Sequence, residues 1–283
     1  MSWQVFMLLS VLFVSLSTIL QRIILRENRS SPIAFSILFQ LVVAGMVGLF
    51  GFLFTDMSLP NLIPMSPRLI LLAVLYALAS IFSFKALKET EASKYSILFT
   101  SRTIVAVVCS SIFLQQNLGL RQGVGALLIL VSAVLVTIHQ ERFKLERGDI
   151  YTLIAAALAG IAVVNDKILV SSLPVYPFVT LAFLLPALLI VLARPKEVVH
   201  IKYFLGKRTL LKTLFFCSFF AAGAITYYTA LQRTTNLPQA TTINTTSVIL
   251  TALLSIIFLK ETSFLKRKLL GALLSFIGLI LVS

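Results

Sequence analysis

Charge is scarce in this chain, and acid is scarcer still. Of 283 residues only 12% are charged, and Asp and Glu together number 10 against 24 Lys and Arg. A soluble domain of this length needs far more charge to cover its surface. There are two cysteines, Cys109 and Cys217, each inside an apolar run. They read as small apolar packing residues and do not amount to a metal site or a disulfide framework. The two histidines, His139 and His200, lie in or beside joints with no ligand spacing. No phosphate-cradling glycine motif and no nucleophile–base arrangement can be read. These scarcities argue against an enzyme, and no cofactor or metal is expected.

Apolar residues fill the space that charge leaves. They make up 59% of the chain, and the mean hydropathy is +1.01. They fall into ten runs, near 3–24, 32–54, 68–88, 94–115, 120–139, 149–170, 175–193, 209–231, 236–259 and 264–282. Runs of about 18–24 residues, apolar on all faces, match helices that cross roughly 30 Å of hydrocarbon. The first run has no basic start and no small-residue cleavage site after it, so it reads as a span and not as a signal peptide. Pro177 and Pro186 in the seventh run predict a kinked helix, since neighbours in a membrane satisfy the freed carbonyls. The expected class is an all-α integral membrane protein with ten transmembrane helices.

The formal net charge of +14 would suggest nucleic acid in a soluble protein. Its distribution says otherwise. Joints after odd-numbered runs hold 19 Lys or Arg, and joints after even-numbered runs hold 4. The basic side marks the cytoplasm. Ten crossings then place both termini outside it, in a multi-pass protein of the cell membrane. No nucleic-acid partner is expected.

The chain also repeats itself. Gln21-Arg22-Ile23-Ile24-Leu25 returns 145 positions later as Asp166-Lys167-Ile168-Leu169-Val170. Phe84-Lys85-Ala86-Leu87 returns as Tyr228-Thr229-Ala230-Leu231, and Gly125-Ala126-Leu127-Leu128 as Gly271-Ala272-Leu273-Leu274. A near-constant offset across three separated blocks is the mark of duplication. The units read as 1–140 and 141–283. Five helices per unit is an odd number, so the second copy enters the membrane from the opposite face. Inverted repeats of this kind are the plan of a carrier that alternates access to a site between its halves.

Polar residues inside the runs are few. Arg102 is the one charge deep in a span, at a cost of about 2.5–3.5 kcal/mol on insertion scales, so it should face protein or water. At matching depth in the ninth run stands Thr241-Thr242-Ile243-Asn244-Thr245-Thr246-Ser247, with Arg102 aligned to Thr246 and Thr100 to Asn244. The expected substrate-binding set is Arg102, Thr100, Asn244, Thr245 and Tyr228, with Arg102 orienting a carboxylate or phosphate. Tyr76, Ser80, Ser83, Thr226 and Tyr227 are weaker candidates. Asp166 beside Lys167 reads first as an interfacial ion pair and second as a proton carrier. Small-molecule substrate, membrane lipid and a coupling proton or counter-substrate are the partners these features allow; oligomeric state is not legible.

Tyr228-Thr229-Ala230-Leu231 leading into the ninth run, Phe258-Leu259-Lys260-Glu261-Thr262 at its end and Leu270-Gly271-Ala272-Leu273-Leu274 after it resemble the EamA type of the drug/metabolite transporter superfamily. The resemblance covers essentially the whole chain. It implies a secondary transporter, an exporter, of small metabolites such as amino acids or related carboxylates. Two alternatives stay open: a flippase for a lipid-linked headgroup, and a non-transporting membrane partner on a carrier fold. Three departures stand out. Asn117 replaces the family's glutamate after the fourth helix, while Glu261 keeps it in the second copy. No acid lies between Met1 and Arg26, where small cation-expelling relatives carry a glutamate. The charge bias also puts the termini opposite to the usual drawing of ten-helix relatives.

Overall fold

The computed structural model describes residues 2–27, 31–89, 95, 98–137, 146–259 and 265–282. Glu261, His139 and most of the mid-chain joint lie outside the described residues. The described chain is helical: α1 (Trp3–Glu27), α2 (Pro32–Phe54), α3 (Ser66–Glu89), α4 (Ser101–Phe113), α5 (Leu120–Thr137), α6 (Arg147–Val170), α7 (Val175–Ala193), α8 (Lys207–Arg233), α9 (Leu237–Leu259) and α10 (Leu265–Val282). Short 3-10 helices at Ile63–Met65 and Pro195–Phe204 precede α3 and α8. Six helices, α1, α2, α3, α6, α7 and α8, are long and apolar enough to cross a bilayer, and shorter apolar helices lie within α4, α5 and α10.

Local sequence explains the ends. Ser31 caps α2, its hydroxyl accepting the Ala34 amide at 3.4 Å, and Pro32 supplies a first-turn residue that has no amide to satisfy. A reciprocal capping box opens α6, with the Asp149 carboxylate accepting the Glu146 amide at 2.6 Å. Pro186 lies inside an unbroken α7, as the sequence leads one to expect of a membrane helix.

The core is built from contacts between the first five helices and the last five. The broadest are α1 with α8, α5 with α10, α3 with α6 and α2 with α7. Contacts of α1 with α9 and of α4 with α6 follow. Helix n of the first five plays the part of helix n+5 in the last five. Thus α1·α8 has its counterpart in α6·α3, and α1·α9 in α6·α4, while α2·α7, α4·α9 and α5·α10 are their own counterparts. Helices of the first five thus pack chiefly against helices of the last five.

Small residues make the closest of these contacts possible. Gly125 and Gly278 face each other so tightly that a Cβ on either would lie 2.7–2.8 Å from the other's carbonyl oxygen. A Cβ on Gly160 of α6 would lie 2.7 Å from the Arg102 carbonyl oxygen of α4. Backbone approach of this kind is how membrane helices gain packing without a hydrophobic driving force between them. At one end, Phe35 of α2 gathers Phe84, Phe204 and Phe216, with ring centroids 6.3, 5.1 and 6.0 Å away. Phe204 is fully buried and fastens the basic 3-10 segment to the bundle.

Candidate functional site

The middle of the bundle is polar because α9 is polar where it is most enclosed. Every residue from Leu237 to Ser247 is buried. Its hydroxyls mostly satisfy their own helix: Thr241 donates to the Leu237 carbonyl, Thr242 to Pro238 and Thr246 to Ile243. Asn244 instead faces α4. Its Oδ1 accepts Arg102 Nη2 at 2.9 Å, and one residue further along each helix Thr103 and Thr245 share a hydroxyl contact at 2.7 Å. Arg102 also lies over the Phe99 ring, 5.2 Å from its centroid.

Beside this crossing is a cavity of about 10 Å³, lined by Arg102, Thr103, Ala106, Gly160, Val163, Tyr227, Thr241 and Asn244. That volume admits one water molecule and no metabolite. At this crossing the guanidinium is held by an amide and an aromatic face.

A second polar centre adjoins the first. Asp166 of α6 is fully buried, one helical turn beyond Val163. Its Oδ2 accepts the Tyr228 hydroxyl of α8 at 2.9 Å and also the Tyr76 hydroxyl of α3; the two tyrosine oxygens are 3.3 Å apart. No hydrogen bond reaches its Oδ1 among the described residues. The ion pair expected of Asp166 and Lys167 does not form. Lys167 Nζ donates to the Leu231 and Thr234 carbonyls at the end of α8, both at 2.6 Å. From α8, Gln232 Nε2 returns the contact to the Val170 and Leu173 carbonyls at the end of α6, at 2.9 and 3.1 Å. These bonds tie the two helix ends together.

The structure thus joins Arg102, Asn244 and Thr245 of the five residues chosen from sequence. Thr100 is buried at the N-cap of α4 and does not line the cavity. Tyr228 is turned toward Asp166, and its neighbour Tyr227 lines the cavity instead. Thr103 was not legible as a site residue, although it stands in the same register to Thr245 as Arg102 does to Asn244. Asn117 acts structurally: its side chain accepts the Ser111 hydroxyl, and its carbonyl accepts Asn236 Nδ2 at 3.1 Å. Among the described residues, no group of His, Cys, Asp and Glu is placed to hold a metal.

A polytopic helical membrane chain with a partly buried arginine–amide crossing and an adjoining cavity has the build of a transporter. The model of the EamA-like transporter family matches residues 1–138 and again residues 146–283. The chain belongs to that family, and so to the drug/metabolite transporter superfamily. One solved crystal structure is similar over 99% of this chain and 96% of its own, with a TM-score of 0.79 at 13% identity, a likeness of fold. No curated protein matches the sequence.

Proposed function

We propose that this protein is a secondary transporter, an exporter, of a small organic metabolite such as an amino acid or related carboxylate. In this reading the chain crosses the membrane ten times as two inverted five-helix repeats, residues 1–140 and 141–283. The observation that carries it is Arg102 on Asn244 at the wall of a central cavity. A carboxylate offers a guanidinium two charged acceptors where Asn244 offers one neutral oxygen, so an anionic group exchanges favourably for the amide.

The mirrored helix contacts support the repeats. Ser15 of α1 donates to the Ser247 carbonyl of α9 at 3.0 Å, and Gly160 of α6 closes on the Arg102 carbonyl of α4. These are one contact in two copies at an offset of 145. That register sets Arg102 opposite Ser247, one residue beyond the Thr246 expected from sequence. The interlocking also refines how access alternates. The bodies that exchange are mixed, α1 with α8 on one side and α6 with α3 on the other, with α4 and α9 crossing between them. The basic joints favour extracytoplasmic termini.

The test is uptake and efflux in proteoliposomes across a panel of labelled amino acids and carboxylates. Saturable flux that Arg102→Ala abolishes and Arg102→Lys partly keeps supports the reading. Saturable flux of a confirmed substrate, unchanged in rate and affinity in Arg102→Ala, ends the site assignment. Absence of flux with accelerated lipid-probe exchange would make the protein a flippase.

A further inference from the structure

We infer that Asp166 is a latch on one mouth of the carrier, fastened as the carboxylate and released by a proton, so that acid on that side frees the gate. The latch joins two bodies. Asp166 and Tyr76 belong to the α6–α3 pair, and Tyr228 to the α8–α1 pair. Around it Lys167 and Gln232 also fasten the ends of α6 and α8, through carbonyl acceptors that carry no charge, whereas Asp166 is an acceptor whose charge can change.

Chemistry makes this carboxylate different from the other ties. As an anion it accepts two phenolic hydroxyls on one oxygen, in bonds roughly twice as strong as neutral ones; the Lys167 bonds are charge-assisted through their donor, so a proton on Asp166 leaves them unchanged. The step is a single proton transfer. In acid a hydronium ion gives its proton to Oδ1, the oxygen that no described group occupies: one O–H bond of hydronium breaks, the carboxyl O–H forms, water is left, and the negative charge of Asp166 is lost. Both tyrosine bonds then fall to neutral strength together.

The ionisable groups facing Asp166 can be named helix by helix. They are Tyr76 from α3, Tyr227 and Tyr228 from α8, and Arg102 from α4, whose charge and that of Asp166 both reach Tyr227. On α6 itself Lys167 points to the α8 carbonyls. Helix α7 carries one ionisable side chain, Tyr176, which stacks on Phe50 with centroids 5.8 Å apart. None of these groups pairs directly with the carboxylate as a cation.

The latch is one-sided. In the first copy the positions corresponding to Asp166 and Tyr228 are Gln21 and Phe84, which hold neither a carboxyl nor a phenol. A latch of this carboxyl–phenol kind is therefore built at one mouth, and the corresponding pair of positions in the first copy does not repeat it. In the orientation taken from the basic joints, α6 and α8 end outside the cytoplasm, so external acid frees the external gate. The inference rests on the carrier reading for what the gate serves, but its test needs no substrate, so the two fail separately.

The experiment places Ala106→Cys at the cavity wall in a full-length chain carrying Cys109→Ala and Cys217→Ala. The reconstituted protein is labelled with an uncharged, membrane-impermeant maleimide in alkaline and in acidic buffer. Rates are divided by that of a free small thiol at the same pH. Acid should raise the normalised rate about ten-fold, the loss of two charge-assisted bonds. Asp166→Asn should label fast in both buffers. Tyr76→Phe and Tyr228→Phe keep the carboxyl and remove one tie each, so both should label faster than the parent in alkaline buffer. They decide the matter if Asp166→Asn does not fold. A parent whose normalised rate ignores pH, an Asp166→Asn variant that responds to acid as the parent does, or tyrosine variants that label like the parent would overturn the inference.

Discussion

Arg102 reaches across the crossing of α4 and α9 to Asn244, Nη2 to Oδ1 at 2.9 Å, and Thr103 and Thr245 repeat the contact one residue on. Asn244 thereby occupies the guanidinium. Asn244→Asp would replace a neutral occupant by a charged one that competes with substrate. Since bonds to a charged group are worth about 1.5–3 kcal/mol, apparent affinity for an anionic substrate should fall roughly 10- to 100-fold. Asn244→Ala should keep measurable affinity. Counterflow titrations of the two variants make the comparison.

Lys167 holds two carbonyls at the end of α8 and does not pair with Asp166. Lys167→Met should cost about 1–3 kcal/mol of stability, because it leaves helix-end acceptors without a donor. Thermal unfolding in detergent reads this, and Lys167→Arg should recover part of the loss. An ion pair with Asp166 would instead let Asp166→Asn in the Lys167→Met background restore stability, and no such restoration is expected.

The close crossings give a prediction with an internal control. Gly160→Ala and Gly125→Ala each set a methyl 2.7 Å from a backbone oxygen, which cannot swing aside. Overpacking of this kind costs about 1–3 kcal/mol. Gly45, also on a membrane helix, has nothing within 4 Å of its Cβ position. Gly45→Ala should be neutral or stabilise by up to about 1 kcal/mol. Parallel melting curves of the three variants separate the cases.

Phe204 anchors the basic segment against Phe35. Phe204→Ala should lower stability by about 3–5 kcal/mol, as for other buried aromatics. Limited proteolysis should then cut between Arg194 and Lys212 faster than in the parent. Equal cutting rates would mean that the segment is held by other contacts.

Orientation is open to a direct reading. A reporter fused after Ser283 that is active only outside the cytoplasm should be active, and one active only inside should be silent. The opposite pattern reverses the assignment of the basic joints and moves the Asp166 latch to the cytoplasmic mouth.

The helices were legible because hydrocarbon thickness turns run length into a count of turns, and Pro186 disturbed that reading as little as membrane packing allows. Arg102 and Asn244 stood out because polar side chains in an apolar run need a reason. Thr103 did not stand out, since a threonine hydroxyl most often bonds its own helix, as Thr242 and Thr246 do. Asp166 was misjudged for a geometric reason. Adjacent residues on a helix point about 100° apart, so sequence neighbours of opposite charge face different partners. Lys167 found carbonyls on α8, while Asp166 found two phenols. Whether Tyr228 faces the cavity or the carboxylate depends on helix rotation, which periodicity fixes poorly in a run apolar on every side.

Because the broadest contacts run between the first five helices and the last five, native packing of the amino-terminal copy waits on the rest of the chain. A ribosome that has made only α1 to α5 has made helices whose main partners do not yet exist. Until α6 to α10 arrive, Gly125 and the Arg102 carbonyl lack the glycines that close on them in the finished fold. A chain cut after α5 would lack the helices that α1, α2, α3 and α5 touch most in the finished fold.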